Sequence, residues 1–291
     1  MKKETLSRIL MAVAMFIFGT LAPFVRNISV TSGELALYRA VMAAVLVGGF
    51  LIITKQNISI RDIKKELILL LLSGAAMGFN WILLFEAYRY TTVSTATLCY
   101  YMAPVFVILL SPFVFKEKFT VKKALCTLCA ILGMLIISGI FGNASANITG
   151  IFLGLGAAIL YASVIIMNKF IHDISDEEKT LVQLGVAGIS LIPYVLLTEN
   201  LSSISAGSLS IILLIILGVV HTGIAYSMYF GSIGKLNLQT VAISGYIDPV
   251  VALILSAALL HEEFTWVHLI GSVLILGAAF ISEMPSKKEL K

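Results

Sequence analysis

Tyr101-Met102-Ala103-Pro104, followed by Glu117-Lys118-Phe119-Thr120, returns as Tyr246-Ile247-Asp248-Pro249 followed by Glu262-Glu263-Phe264-Thr265. The shared Tyr, Pro, Glu, Phe and Thr are all displaced by 145 residues (249 − 104, 262 − 117, 265 − 120). The match extends outward with a slowly drifting offset. Arg26 corresponds to Lys169 at 143, and Glu34, Leu37, Arg39 and Ala43 correspond to Glu178, Leu181, Gln183 and Ala187 at 144. Two stretches alike only in Leu and Ile would not match at Tyr, Pro, Glu and Thr. The chain therefore divides into two copies of one unit, residues 1–142 and 143–291.

The medium around these units follows from composition. Apolar residues make up 59% of the chain and charged residues 12%, with a mean hydropathy of +1.02, which leaves too little polar surface for a water-soluble protein. Ten apolar runs approach the ~20 residues a helix needs to cross hydrocarbon. They cover roughly 7–25, 35–54, 67–88, 92–115, 121–140, 149–168, 180–198, 209–230, 238–260 and 266–283. The runs do not alternate in polarity, which excludes a transmembrane barrel, and helices satisfy their own backbone groups in lipid. The expected fold is all-α and integral to the membrane. Five spans per copy is an odd number, so the second copy enters the bilayer inverted, giving ten transmembrane helices as two inverted five-helix repeats.

Charge sets the expected orientation. With the amino terminus in the cytoplasm, Lys64, Lys65, Lys122, Lys123, Lys179, Lys235 and most other cations fall on that side, and only Arg26 and Arg89 fall outside. Both termini are then cytoplasmic in a multi-pass protein of the plasma (inner) membrane. The first run has a basic flank like a signal peptide but no A-x-A cleavage site, so it is expected to stay as a helix. The net charge of +4 reflects this topology; no basic stripe with interleaved aromatics points to nucleic acid. Cys126-x-x-Cys129 lies on an apolar run with no second ligand pair, so it reads as small packing residues, and neither a metal, a cofactor nor a disulfide is implied.

Depth along a run, at ~1.5 Å per residue, selects the candidate functional residues. Asp248 and His221 fall near the midplane together with Tyr101, Tyr161 and Tyr246, and Asn80 lies slightly to the outer side. An ionisable group at that depth costs at least about 2.5 kcal/mol and normally faces a cavity or a partner. Asp248 is the first candidate for substrate binding, and with His221 for proton coupling; the competing reading is a buried carboxyl bonded to a Tyr or the backbone, with His221 a neutral packed side chain. Asn80, Trp81 and Tyr226 could line an aromatic vestibule or face lipid. Pro104 and Pro249 read as mid-helix residues that free the carbonyls of Tyr100 and Gly245 and act as hinges. Glu86 stands three residues before Arg89, as a local pair or a gate. Arg39, a turn or two inside the outer boundary, reads as a gate residue that snorkels or pairs. Glu117 and Glu262 precede Thr120 and Thr265, which suit helix N-caps, and read as parts of a tight helical hairpin.

The pattern Phe85-Glu86-Ala87-Tyr88-Arg89-Tyr90-Thr91-Thr92, then Tyr101-x-x-Pro104 and Lys116-Glu117-Lys118-Phe119-Thr120, resembles the first EamA domain of the drug/metabolite transporter superfamily. Gln239-Thr240-Val241-Ala242, with Tyr246-Ile247-Asp248-Pro249 and Glu262-x-Phe264-Thr265, resembles the second. Many relatives carry Trp-Gly near the end of the first helix, where this chain has Phe18-Gly19. The resemblance implies a secondary transporter in which the first, third and fourth helices of each repeat line a central cavity. Export of a small organic metabolite, such as an amino acid, by alternating access is the function it implies. The alternatives are a drug or cation exporter of the same fold and a non-transporting membrane sensor or scaffold. An enzyme is not expected, because no H-E-x-x-H or G-x-S-x-G motif occurs, and no P-loop supports an ATP-driven pump. The expected partners are a small-molecule substrate and the lipid bilayer; substrate identity, coupling ion and oligomeric state are left open.

Overall fold

The computed structural model describes residues 2–55, 58–116, 119–137, 147–199, 207–233, 235–236 and 238–284. Glu117, Lys118 and the connection 138–146 lie outside the described residues. The apolar runs become helices, and no strand occurs among the described residues. In chain order these are α1 (Lys2–Gly19), α2 (Leu21–Arg26), α3 (Ser32–Ile53), α4 (Ile60–Lys65) and α5 (Leu67–Tyr90). Next come α6 (Val93–Tyr100), α7 (Ala103–Val114), α8 (Val121–Ile137), α9 (Ile148–Asn168) and α10 (Asp176–Thr198). After α11 (Ser208–Ile216) a π-helical segment (Leu217–Ile224) leads into α12 (Ala225–Ile233), and α13 (Leu238–Gly245), α14 (Ile247–Leu259) and α15 (Trp266–Glu283) complete the order.

Among the described residues, seven helical segments are long and apolar enough to cross a membrane: Thr5–Arg26, Ser32–Ile53, Leu67–Tyr90, Val93–Val114, Ile148–Asn168, Asp176–Thr198 and Ser208–Tyr229. Shorter apolar helices cover Ile243–Leu259 and Trp266–Ser282. Side chains that would be unacceptable on a soluble surface point outward, such as Phe113, Leu197 and Ile53, each more than four-fifths exposed. Such a surface suits hydrocarbon. The helix starts obey ordinary capping. Thr31 with Glu34 opens α3 and Ser175 with Glu178 opens α10, each as a full capping box. The Thr120 hydroxyl accepts the Lys123 N–H at 3.3 Å at the start of α8, and Thr265 with His268 opens α15.

Packing runs through close helix pairs. α5 packs on α9 and α10, α10 on α3, α8 on α15, α1 on α12 and α14, α6 and α7 on α9, and α3 on the π segment. Glycines set two of these crossings. A Cβ at Gly74 would lie 2.7 Å from Val186 Cβ and 2.8 Å from the Gln183 carbonyl oxygen, and one at Gly133 would lie 2.9 Å from the Gly271 carbonyl oxygen. Small residues let backbones approach where lipid supplies no hydrophobic drive between helices.

Pro104 and Pro249 are not in mid-helix. Each run breaks just before its proline: α6 ends at Tyr100 and α7 restarts at Ala103, and α13 ends at Gly245 with α14 restarting at Ile247. Pro104 and Pro249 thus occupy first turns, where an N–H would have no intrahelical acceptor. A tight turn covers the first break, with Tyr101 N–H on the Thr97 carbonyl (2.9 Å) and Met102 N–H on that of Cys99 (3.1 Å). A third interruption falls at Thr20, between α1 and α2.

Gly74→Val and Gly133→Val are expected to cost about 1–3 kcal/mol each through overpacking, seen as a lower Tm of the detergent-purified protein. Gly277→Ala, where the added Cβ meets nothing within 4 Å, should leave Tm unchanged.

Candidate functional site

The interruptions converge. A Cβ on Gly19, at the end of α1, would lie 2.6 Å from the Asp248 carbonyl oxygen, so the break after α1 sits directly on the first turn of α14. Beside it the π-helical segment presents His221. The Thr20 hydroxyl donates to the Ile17 carbonyl at 2.7 Å and lies 2.8 Å from His221 Nε2, which ties the imidazole to the break after α1. Phe24 of α2 packs edge-on against the imidazole at 4.8 Å. The extra residue in the π turn, marked by the Thr222 hydroxyl bonding to the Leu217 carbonyl five residues back, aims His221 at this junction.

Asp248 faces the other side of the same junction and is only half-buried. Its carboxylate neighbours the Tyr101 hydroxyl and lies within electrostatic reach of Arg39. Arg39 is central. It is 7% exposed, its guanidinium carbon stands 4.5 Å above the Trp81 ring centroid and 5.9 Å from that of Phe85, and its Nε has no hydrogen-bond partner. Stacking on an aromatic face offsets about 0.5–2 kcal/mol of its burial. A cation in mid-membrane costs at least about 2.5–3.5 kcal/mol, so the stacking does not cover the cost. Aromatic rings continue the wall: Tyr100 stacks on Tyr161 at 5.2 Å and meets Tyr101 edge-on at 6.0 Å, and Phe18 meets Tyr226 at 5.4 Å and Tyr229 at 6.5 Å. Tyr100, Tyr101, Tyr161 and Phe18 all keep partial exposure.

The sequence candidates separate accordingly. Trp81 lies under Arg39, Asp248 neighbours Tyr101 within electrostatic reach of Arg39, and Tyr161 joins them by stacking on Tyr100. His221 lies within electrostatic reach of Arg39 as well, and no hydrogen bond or ion pair joins it to Asp248. Arg39 neither snorkels nor pairs with Glu86. Glu86 instead accepts from the Ser32 hydroxyl at 2.5 Å and faces Arg89 at 3.8 Å, while Arg89 donates to the Val30 carbonyl. Asn80 is buried and donates to the Ala157 carbonyl at 2.5 Å, tying α5 to α9. Tyr246 packs edge-on against Phe280 at 5.4 Å.

Glu262 does more than shape a hairpin. Its Oε1 accepts from Arg26 Nη1 (2.6 Å) and the Val93 N–H (2.8 Å), and its Oε2 from the Ser94 N–H (3.3 Å) and the Ser256 hydroxyl. With that proton committed to Glu262, the Ser94 hydroxyl donates to Ser256 at 2.8 Å. One carboxylate thus caps α6, holds α14 and anchors the end of α2. A carboxylate on a helix N-terminus was legible as a type of interaction, but its partners come from segments far apart in sequence.

A bundle of apolar helices, interrupted at its centre and lined there by unpaired charge and aromatic rings, is a multi-pass membrane protein with a polar interior site. The EamA-like transporter family matches over residues 5–139 and 148–284, and the chain belongs to this family. It is 31% identical to the uncharacterized transporter YxxF of Bacillus subtilis, over 87% of this chain and 82% of that one. It is 28% identical to a probable amino-acid metabolite efflux pump of Salmonella typhimurium, over 75% and 77% of the two chains. A crystal structure with 17% sequence identity superimposes with a TM-score of 0.66 over 96% of this chain and 98% of that one, which shows a shared fold.

Glu262→Gln is expected to lower stability by about 1–3 kcal/mol, since it weakens several buried acceptor positions at once. Arg26→Gln should cost less because Arg26 is partly solvated, and the two losses should not add in a double-mutant cycle read by thermal unfolding in detergent.

Proposed function

We propose that the chain is a secondary transporter that exports a small organic metabolite, an amino acid or a similar molecule, by alternating access, with the proton as coupling ion. The observation that carries this reading is that the break after α1, where Thr20 meets His221, sits on the first turn of α14 at Asp248, with the buried guanidinium of Arg39 within electrostatic reach of both groups. A sensor or scaffold would not need charge there.

Ten traverses arranged as two inverted five-helix repeats are supported by the packing. Exchanging each segment for its repeat mate turns the contact of α5 with α9 into that of α12 with α1. The same exchange turns α5 with α10 into α3 with the π segment, and the contacts of α6 and α7 with α9 into those of α14 and α13 with α1. The pairs α3 with α10 and α8 with α15 map onto themselves. The polar ties agree with opposite insertion. Thr31, Arg26, Arg89, Glu199, Ser210 and Glu262 gather at one end, and Ser59, Lys65, Asp173 and Glu178 at the other. With cytoplasmic termini the first group faces outward across the plasma (inner) membrane. At that end α6 and α14 close together through Ser94, Ser256 and Glu262, which supports a state closed to the outside.

Asp248 is the proposed coupling residue. Proton and substrate amine competing for one carboxylate would make release of one follow binding of the other, with His221 adjusting the local field through Arg39. The breaks before Pro104 and Pro249 are the proposed hinges. The printed name of the efflux-pump relative supports an amino-acid-like substrate, and no catalytic role is proposed.

Purified protein in liposomes, tested across a metabolite panel with and without a pH gradient, checks this reading. Gradient-driven uptake should be lost in Asp248→Asn, and His221→Ala should shift its pH dependence. Wild-type uptake by Asp248→Asn at every pH would refute the coupling. Orientation is tested by cysteines: one introduced within 141–148 should react with an impermeant thiol reagent from outside, and one at Lys118 should not.

A further inference from the structure

Arg39 is a buried guanidinium without an acid. None of its nitrogens takes part in a hydrogen bond or ion pair among the described residues, and its Nε is enclosed. The nearby acids are engaged elsewhere. Glu34 closes the capping box of α3, Glu86 takes Ser32 and faces Arg89, and Glu262 holds Arg26 and the start of α6. Asp248 is within electrostatic reach of the guanidinium without pairing with it, and has Tyr101 as its hydroxyl neighbour. Trp81 and Phe85, one turn apart on α5, carry the guanidinium over their rings at 4.5 and 5.9 Å, and no acid pairs with its N–H groups among the described residues. A guanidinium edge presents paired N–H donors in the geometry that a carboxylate accepts.

We propose that Arg39 anchors a carboxylate of the transported molecule while Asp248 receives its ammonium group, so that the site takes zwitterionic α-amino carboxylates and orients them between α3 and α14. This rests on the central junction being the substrate site. Charge balance favours a zwitterion over a simple anion or cation. Arg39 and Asp248 are together neutral, so an added zwitterion satisfies both ends, whereas phosphate would face Asp248 and an organic cation would face Arg39 with no counter-charge. Tyr100, Tyr161 and Phe18, with their partial exposure, provide the apolar wall for the substrate's side chain.

The chain has two tryptophans, Trp81 and Trp266, so Trp266→Phe leaves the ring beneath Arg39 as the sole reporter. In that background, each of the 20 proteinogenic L-amino acids is titrated by fluorescence, with calorimetry as a second readout. The tightest binder is then compared with its amide and with its deaminated acid, and inorganic phosphate serves as a competitor. At least one amino acid should bind saturably, with both analogues at least tenfold weaker and phosphate ineffective. Arg39→Gln, checked for an undiminished Tm, should remove the difference between acid and amide, and Arg39→Lys should restore part of it. The proposal is overturned if no amino acid binds, if the amide binds as well as the acid, or if Arg39→Gln keeps the preference. Uptake into liposomes separates the two claims. Flux of amines without carboxylates would leave a transporter but remove the anchor, and Arg39-dependent binding without flux of any compound would keep the anchor and remove the transporter.

Discussion

A backbone N–H or C=O left without a partner in hydrocarbon costs several kcal/mol, and this one constraint orders the rest of the structure. It makes the apolar runs helical and allows a helix to break only where protein or water can take over the freed groups. The breaks at Thr20, Tyr101–Met102 and Tyr246 are gathered at one central junction, and the π turn that carries His221 lies against it. Breaking the helix costs least where polar groups already meet, and those polar groups are tolerated only where the lipid is excluded. Helix breaks and buried charge thus require one another.

The same economy of polar groups governs the closed end. Glu262 lies 38 residues closer to the carboxyl end than the π turn's last residue (262 − 224), yet its contacts reach α2 and α6, so a single carboxylate ties both repeats together. Hydrogen bonds between Ser94, Ser256 and Glu262 are individually worth about 1 kcal/mol, and charge-assisted ones about 1.5–3 kcal/mol. A handful of such bonds amounts to the few kcal/mol that separate the two states of a switching protein, the size of difference the proposed alternating access needs.

Much of this was legible in the sequence. The apolar runs set the helices, because that signal is local, and the stretches that share Tyr, Pro, Glu and Thr at one spacing fall one in each of the two family matches. Asp248, Tyr101 and Tyr161 were chosen by depth, which is a matter of counting, and Trp81 as a vestibule aromatic. What depth cannot give is direction around the helix. Arg39 counted as a near-boundary residue able to snorkel, but its side chain turns inward to Trp81 and Phe85. Asn80 had the right depth and spends its amide on the Ala157 carbonyl. His221 and Asp248, deep on different helices, have Thr20 and Tyr101 as their neighbours rather than each other. The prolines were read as mid-helix kinks; each begins a new helix, since the preceding turn had already ended the old one. No sequence signal distinguishes the π turn at Leu217–Ile224 from an ordinary helical stretch with two glycines.

The central claim is that the junction is reached alternately from the two sides, so that closure of the Glu262 end must be reversible. Ser94 and Ser256, whose hydroxyl oxygens lie 2.8 Å apart, allow a direct measurement. With Cys99, Cys126 and Cys129 replaced by Ala, the pair Ser94→Cys and Ser256→Cys can be oxidised to a disulfide and its flux followed in liposomes. The account predicts that flux stops on oxidation and returns on reduction, while neither single-cysteine variant responds to oxidation. A fully cross-linked protein that transports at the rate of its reduced form would contradict it.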